Sequence, residues 1–257
     1  MILECEKRKW LWVAAIAFVM ILLYSISCTR SGLWYDEGIE YWYSKVISGP
    51  VPGGGSTTSM YERIASTYQP PLYNVMMHLW LTFFPGEFAF RLAGVLISVL
   101  GGIGVYFAVK ELCGFRYGLL SMAAWLILPP VAYYAMECAE YNLMMAFLAW
   151  QMFFFIRCLK TEGMEGSHGW LYNYIFFLLF SVLAVYSQYG AAFAVVATAL
   201  VLLIKQVTEK EYKRTFAAIG MDAVAVIAAG IPLVVFFLLP QMEKQGSISH
   251  GSNALSF

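Results

Sequence analysis

The sequence predicts an all-α, polytopic helical membrane protein of about seven transmembrane helices, with one outer loop that carries juxtamembrane helices. Three observations predict it. The 257 residues are 61% hydrophobic and only 12% charged, too little charge to cover a soluble surface of this size. Long apolar runs recur between short polar breaks, as helices that cross hydrocarbon require. Aromatic residues reach 17%, and these side chains favour membrane interfaces. The 16 basic and 16 acidic residues cancel, and no block of like charge forms, so nothing points to nucleic acid as a partner.

The first span is predicted over 10–26, behind Lys7, Arg8 and Lys9. A signal peptide starts similarly, but no small-residue cleavage site follows, so this segment reads as a retained anchor. Further spans are predicted at 88–109, 117–136, 141–159, 170–187, 190–204 and 215–239. Each is near the ~20 residues that a crossing helix needs. PLYNVMMHLWLTFF, 71–84, has only 14 residues and follows Pro70 and Pro71, so it suits a helix lying on the membrane better than a span.

Charge tests that choice. With seven spans and a cytoplasmic N-terminus, eleven basic residues (7, 8, 9, 110, 116, 157, 160, 205, 210, 213 and 214) lie inside and five (30, 45, 63, 91 and 244) outside. This split obeys the positive-inside rule, whereas letting 71–84 cross would put the basic clusters at 157–160 and 205–214 outside. Residues 28–87 therefore form a long extracytoplasmic loop, interrupted by GPVPGGGSTTS, 49–59, a flexible insert by composition. The five cysteines (5, 28, 113, 138 and 158) contain no C-x-x-C pair and read as buried thiols, although 28 and 138 fall on one side of the membrane.

GLWYDEGIEYW, 32–42, places Asp36, Glu37 and Glu40 in this loop. On a helix, adjacent residues point about 100° apart, so Asp36 and Glu37 suit two different tasks, one as a general base and one binding a cation or a polar substrate group. The plainer alternative is that these acids solvate a helix start and favour its dipole. A second acidic pair, Glu137 and Glu140, lies in the short turn between spans three and four, on the same face. Carboxylates that close to hydrocarbon are costly unless paired, hydrated or used. With Gln188 and Tyr189 at the outer end of span five, the outer face collects acids, amides and phenols around a polar cleft.

Other residues carry two readings. Arg91 either binds phosphate or pairs with Glu87, four residues earlier. Asp222 reads as interfacial or hydrogen-bonded within the bundle, and His78 as a wetted polar-face residue. Gly101, Gly102 and Gly104 invite close helix packing, since no strand precedes them to make a dinucleotide fingerprint.

The ordered set Trp-Tyr-Asp-Glu (34–37), Gln-Pro-Pro-Leu-Tyr (69–73), Glu-Phe-Ala-Phe-Arg-Leu (87–92), Glu-Cys-Ala-Glu-Tyr (137–141) and Tyr-Ser-Gln-Tyr (186–189) resembles the N-terminal module of GT-C membrane glycosyltransferases. The nearest likeness is to bacterial relatives of protein O-mannosyltransferases and of the lipid A aminoarabinose transferase. The resemblance covers essentially all of 1–257 as a single module and implies a longer family architecture beyond it. It implies transfer of a sugar from a polyprenyl-phosphate carrier to an extracytoplasmic acceptor at a cleft on the bilayer surface. Asp36 matches the family's catalytic aspartate and Glu37 its companion, while Gln69, Tyr73, Arg91, Glu137, Tyr141, Gln188 and Tyr189 are the candidate substrate-binding residues. A divalent metal is a possible cofactor, with Glu37 and Glu137 as candidate ligands. The chain departs from the family at Gln69, Ala139 and Gln188, which stand where histidine, arginine and histidine are usual. Two rival expectations are a transporter or flippase-like carrier, which would show an internal repeat and charge at the bilayer midplane, and a catalytically silent scaffold.

Overall fold

The computed structural model describes residues 2–29, 32–45, 48–50, 57–160 and 167–244. Arg30, the glycine-rich 51–56 and the tail 245–257, on which some expectations above rest, lie outside the described residues. The fold is that of an all-α polytopic membrane protein. Among the described residues, five helices are long and apolar enough to cross a bilayer, and one bent helix pair makes a sixth candidate. The apolar segment Trp10–Ile26 lies within a further helix, α1 (Ile2–Cys28).

After α1 the chain forms α2 (Tyr35–Lys45), a two-stranded antiparallel ribbon of β1 (Ser48–Pro50) and β2 (Thr57–Ser59), and the short α3 (Met60–Ile64). Of the segment 49–59, read as a flexible insert, only the two ends are described, and they pair: Ser48 with Ser59 and Pro50 with Thr57. Its end is fixed by a capping box, in which the Ser59 and Glu62 side chains each bond the other's backbone N–H. The Arg63 guanidinium donates to the Thr58 carbonyl at 2.9 Å and lies over the Trp42 ring, which holds the ribbon against α2.

Next comes α4 (Leu72–Phe83), which at 12 residues is too short to cross a bilayer. Its Tyr73, Asn74, Met77 and Leu81 are buried, while Val75, Leu79 and Phe83 face outward. The central helix is α5 (Glu87–Cys113), which packs against α1, α6 (Phe115–Ile127) and α8 (Glu140–Lys160). Glycine permits that approach. A Cβ at Gly104 would stand 3.1 Å from the Trp150 backbone nitrogen, and one at Gly101 would stand 3.1 Å from Ala146 Cα. Gly114, at φ 91°, reverses the chain between α5 and α6. At Gly118 a Cβ would meet the Tyr106 carbonyl oxygen at 2.9 Å, an atom that cannot swing aside. Gly118→Ala is therefore expected to destabilise the α5–α6 pair by about 1–3 kcal/mol, read as a lower thermal midpoint in detergent.

The third predicted span, 117–136, is not one continuous helix. It breaks at Leu128 into α6 and α7 (Pro129–Met136), bent by 60°. Pro129 drives Leu128 into extended backbone (φ −62°, ψ 127°), and Pro130 offers no N–H to the Leu126 carbonyl four residues back. The Tyr24 hydroxyl of α1 donates to that carbonyl instead. The bend is followed by the turn 137–139, which lines a cleft together with α2.

Helices α9 (Ser167–Ser187) and α10 (Ala191–Thr208) follow, and the chain ends in a helical run over Tyr212–Lys244 that includes π-helical turns at Val226–Gly230 and Val234–Leu238. Aromatic stacking joins α8 to α9, with Phe154 lying between Phe176 and Phe180. The last run faces mostly outward and is fastened by polar contacts. Asp222 accepts from the Tyr174 hydroxyl at 2.9 Å, and the Gln241 amide donates to the Ile64 and Gln69 carbonyls. Cys28, Cys113, Cys138 and Cys158 are free thiols.

Candidate active site

The cleft begins with the periodicity of α2. Glu37, Glu40 and Ser44 fall on one helical face and are buried, whereas Asp36, one residue before Glu37, is exposed. The acids in the first turn face the positive end of the helix dipole. Glu37 turns toward α5, where Arg91 donates to both of its carboxylate oxygens, at 2.8 and 3.3 Å. Arg91 also donates to the Gly32 carbonyl at 2.7 Å, fixing the chain as it enters α2. The ion pair of Arg91 is thus with Glu37 and not with Glu87. Packing α2 against α5 brings a carboxylate from 54 residues away, while Glu87 sits on the same helix in its first turn.

One turn along, Glu40 accepts from the Asn74 amide at 2.8 Å, and His78 Nδ1 lies 2.7 Å from the Ser44 carbonyl. Asn74 and His78, four residues apart on α4, therefore form a polar seam with α2. His78 belongs to this seam and not to a wetted outer face. Gln69, just before α4, faces the carboxyl groups of both Glu40 and Glu140. Burial pushes the Glu40 carboxyl up to about 7, against the hydrogen bonds from Asn74 and Gln69 and with a further small rise from Asp36.

A stability prediction follows from that shift. The folded protein retains the Glu40 proton over roughly pH 4.5–7, where the unfolded chain has released it. Stability from this group is therefore present below that window and is lost as pH rises through it. Glu40→Gln is expected to flatten the decline in thermal midpoint between pH 5 and pH 8, because the amide cannot ionise.

The turn after α7 supplies the opposite wall. Glu137 caps α7 and is hydrogen-bonded by the Tyr133 hydroxyl, Cys138 is buried, and Glu140 opens α8 with 1% of its surface exposed. The Tyr134 and Tyr141 rings lie 4.9 Å apart, and Tyr141 reaches Gln188. Together α2, Gln69 and the 133–141 segment enclose a cleft of about 320 Å³. Its lining includes Trp34, Asp36, Glu37, Glu40, Gln69, Tyr133, Tyr134, Glu137, Glu140 and Tyr141, but no lysine or arginine.

Five of the candidate residues thus meet at the cleft: Asp36, Glu37, Gln69, Glu137 and Tyr141. Four do not line it. Tyr73 is 2% exposed and packed among Met77, Phe90 and Leu143, because its place on α4 faces the core. Arg91 lies behind the cleft on Glu37, and Gln188 behind Tyr141. The Tyr189 hydroxyl donates to Gln241, whose amide holds the Gln69 carbonyl from behind. Trp34, Tyr133 and Tyr134 line the cleft without having been expected there, and Glu40 and Glu140, which the sequence places among the acids of this face, line it without an assigned binding role. Glu40 carried a readable signal, its three-residue spacing from Glu37.

Glu37 is poorly placed as a metal ligand, since both of its oxygens serve Arg91, and among the described residues no group of three His, Cys, Asp or Glu side chains is arranged to hold a metal ion.

An apolar helical bundle that carries an acid- and phenol-lined cleft defines a multi-pass membrane protein with a polar pocket. Residues 68–236 match the family model described as dolichyl-phosphate-mannose-protein mannosyltransferase, and the chain belongs to that family. It is accordingly a mannosyltransferase-like membrane glycosyltransferase of the GT-C type. The match begins one residue before Gln69 and takes in the 133–141 wall, while α1 and α2 precede it. No curated protein and no solved structure matches the chain.

Proposed function

We propose that the protein transfers a sugar from a polyprenyl-phosphate carrier to a hydroxyl-bearing acceptor outside the cytoplasm, with Asp36 as the general base. The observation that carries this reading is the division of labour between adjacent carboxylates. Glu37 is buried on Arg91, whereas Asp36 is exposed at the cleft, where an acceptor can approach it. In the reaction, Asp36 takes the proton of the acceptor hydroxyl as its oxygen bonds the anomeric carbon. The bond from that carbon to the carrier phosphate breaks, and the phosphate leaves with the electron pair. Tyr133, Tyr134 and Tyr141 offer rings and hydroxyls to hold the sugar. A lipid donor suits a cleft at the end of an apolar bundle, since its headgroup can enter laterally from the bilayer. Membership of the mannosyltransferase family supports the carrier chemistry, and the basic-residue asymmetry supports an outward-facing loop.

The test is transfer of radiolabelled sugar from a panel of polyprenyl-phosphate sugars by membranes that contain the protein. Transfer that requires the carrier-linked donor supports the reading. Membranes that hold folded protein and transfer no sugar from any donor would overturn it.

A further inference from the structure

The last helical run reaches the cleft through one side chain. Gln241, near the C-terminal end of that run, is 2% exposed, and its amide nitrogen donates to the Ile64 carbonyl at 3.0 Å and to the Gln69 carbonyl at 2.8 Å. Its oxygen accepts from the Tyr189 hydroxyl at 3.0 Å. The orientation of this amide is unambiguous, because carbonyls only accept and the nitrogen must face them. One side chain thereby ties both ends of the turn 64–69. The sequence makes such a tie necessary, since Gln69 is followed by Pro70 and Pro71, which have no N–H with which to close the turn. Within the turn, the Thr67 hydroxyl donates to the Ile64 carbonyl and accepts from the Gln69 N–H.

What Gln241 holds matters because of where the Gln69 side chain goes. That amide lines the cleft and faces the carboxyl groups of Glu40, from α2, and Glu140, from α8. The two walls of the cleft thus meet at a residue whose backbone is held by a third element. A second seam joins α3 to the last run without touching Gln69: the Tyr61 hydroxyl donates to the Phe236 carbonyl at 2.9 Å, and its ring meets Phe237 edge-on. We propose that Gln241, oriented by Tyr189, is a positioning residue that acts on the cleft through Gln69, by fixing that amide between Glu40 and Glu140. Gln241 lies beyond the stretch 68–236 that the family model matches. The effect on transfer rests on the glycosyl-transfer reading above, whereas the effect on the carboxyl groups does not.

The test uses the full chain in detergent and two readouts, transfer per folded molecule and the thermal midpoint between pH 5 and pH 9. The hydrogen bond from Gln69 favours the ionised Glu40 carboxylate, so freeing Gln69 raises this carboxyl still further above its unfolded value. Stability carried by the Glu40 proton is then retained to higher pH, and the fall in midpoint moves up the pH axis by about 0.5–1, as one lost hydrogen bond allows. Asp36, Tyr43, Tyr73 and Glu140 also face Glu40, and none of them is changed. Gln241→Met is expected to show this displacement together with transfer lowered about ten-fold, since a small misplacement of a site residue suffices for such a loss. Tyr189→Phe removes one hydroxyl and shows the same changes in smaller measure. Tyr61→Phe, the control for docking alone, lowers the midpoint at every pH, leaves the curve where it is on the pH axis and keeps transfer per folded molecule.

A double-mutant cycle shows whether Gln69 carries the effect: in the Gln69→Met background, Gln241→Met adds neither displacement nor further loss of transfer. A curve that is lowered but not displaced in Gln241→Met and Tyr189→Phe overturns the proposal, as do effects that simply add to those of Gln69→Met. If Gln241→Met does not fold, Tyr189→Phe decides between the same outcomes. If the wild-type protein transfers no sugar from any donor, the glycosyl-transfer reading falls, while a displaced curve still establishes the hold of Gln241 on the cleft.

Discussion

Asp36→Asn lowers sugar transfer by about 10²–10⁴-fold, the range that a positioned general base contributes, while the thermal midpoint in detergent stays close to the wild-type value. The substitution preserves the size of the side chain and its place at the start of α2, and it removes only an exposed charge at the helix dipole, worth about 0.3–1 kcal/mol, so the midpoint moves little. Asp36 is exposed, and none of the buried contacts that seat α2 on α5 passes through it. Glu37→Gln shows the opposite pattern. That residue anchors α2 through Arg91, so its loss lowers the midpoint, and any fall in transfer follows the fall in folded protein. Transfer and midpoint measured side by side on both variants distinguish a base from a strut. Equal loss of transfer per folded molecule in the two variants would refute the division of labour.

The all-α, multi-pass class was legible because hydropathy reports directly on solvent preference, and that preference decides whether a helix suits hydrocarbon. The break at Leu128 was harder to see. Residues 117–136 are apolar throughout, and hydropathy is blind to the backbone restriction that Pro129 and Pro130 impose. At the cleft, the sequence marked the acidic turns but not the faces that they present. Glu137 and Glu140 lie three residues apart, yet Glu137 caps α7 at the rim while Glu140 is buried in the floor. Tyr73 sits in the same short motif as Gln69, but one turn of α4 points it into the core. The partner of Arg91 was hidden for the same reason. Spacing along one helix offered Glu87, and only the packing of α2 on α5 could offer Glu37.

Arg91→Leu has the largest expected effect on stability, a loss of about 3–5 kcal/mol, because it strands a buried carboxylate. The Arg91 and Glu37 side chains are only 3% and 4% exposed, so water cannot take over the lost interaction. The loss is greater than that of the ion pair alone, since the Gly32 carbonyl also loses its donor and the entry to α2 is released. Replacing both residues should hurt less than replacing Arg91 alone. In Arg91→Leu with Glu37→Leu no buried charge is left unpaired, and two apolar side chains can pack between α2 and α5. A double-mutant cycle on thermal or denaturant unfolding in detergent measures this coupling. A double variant more stable than Arg91→Leu shows that the single substitution is costly because it isolates a charge. The double variant should also retain Asp36-dependent transfer to the extent that α2 still docks, which would make the ion pair a means of placing the base and not a part of the chemistry. If the two single losses simply add, the α2–α5 contact is held by packing, and Arg91 and Glu37 contribute independently of each other.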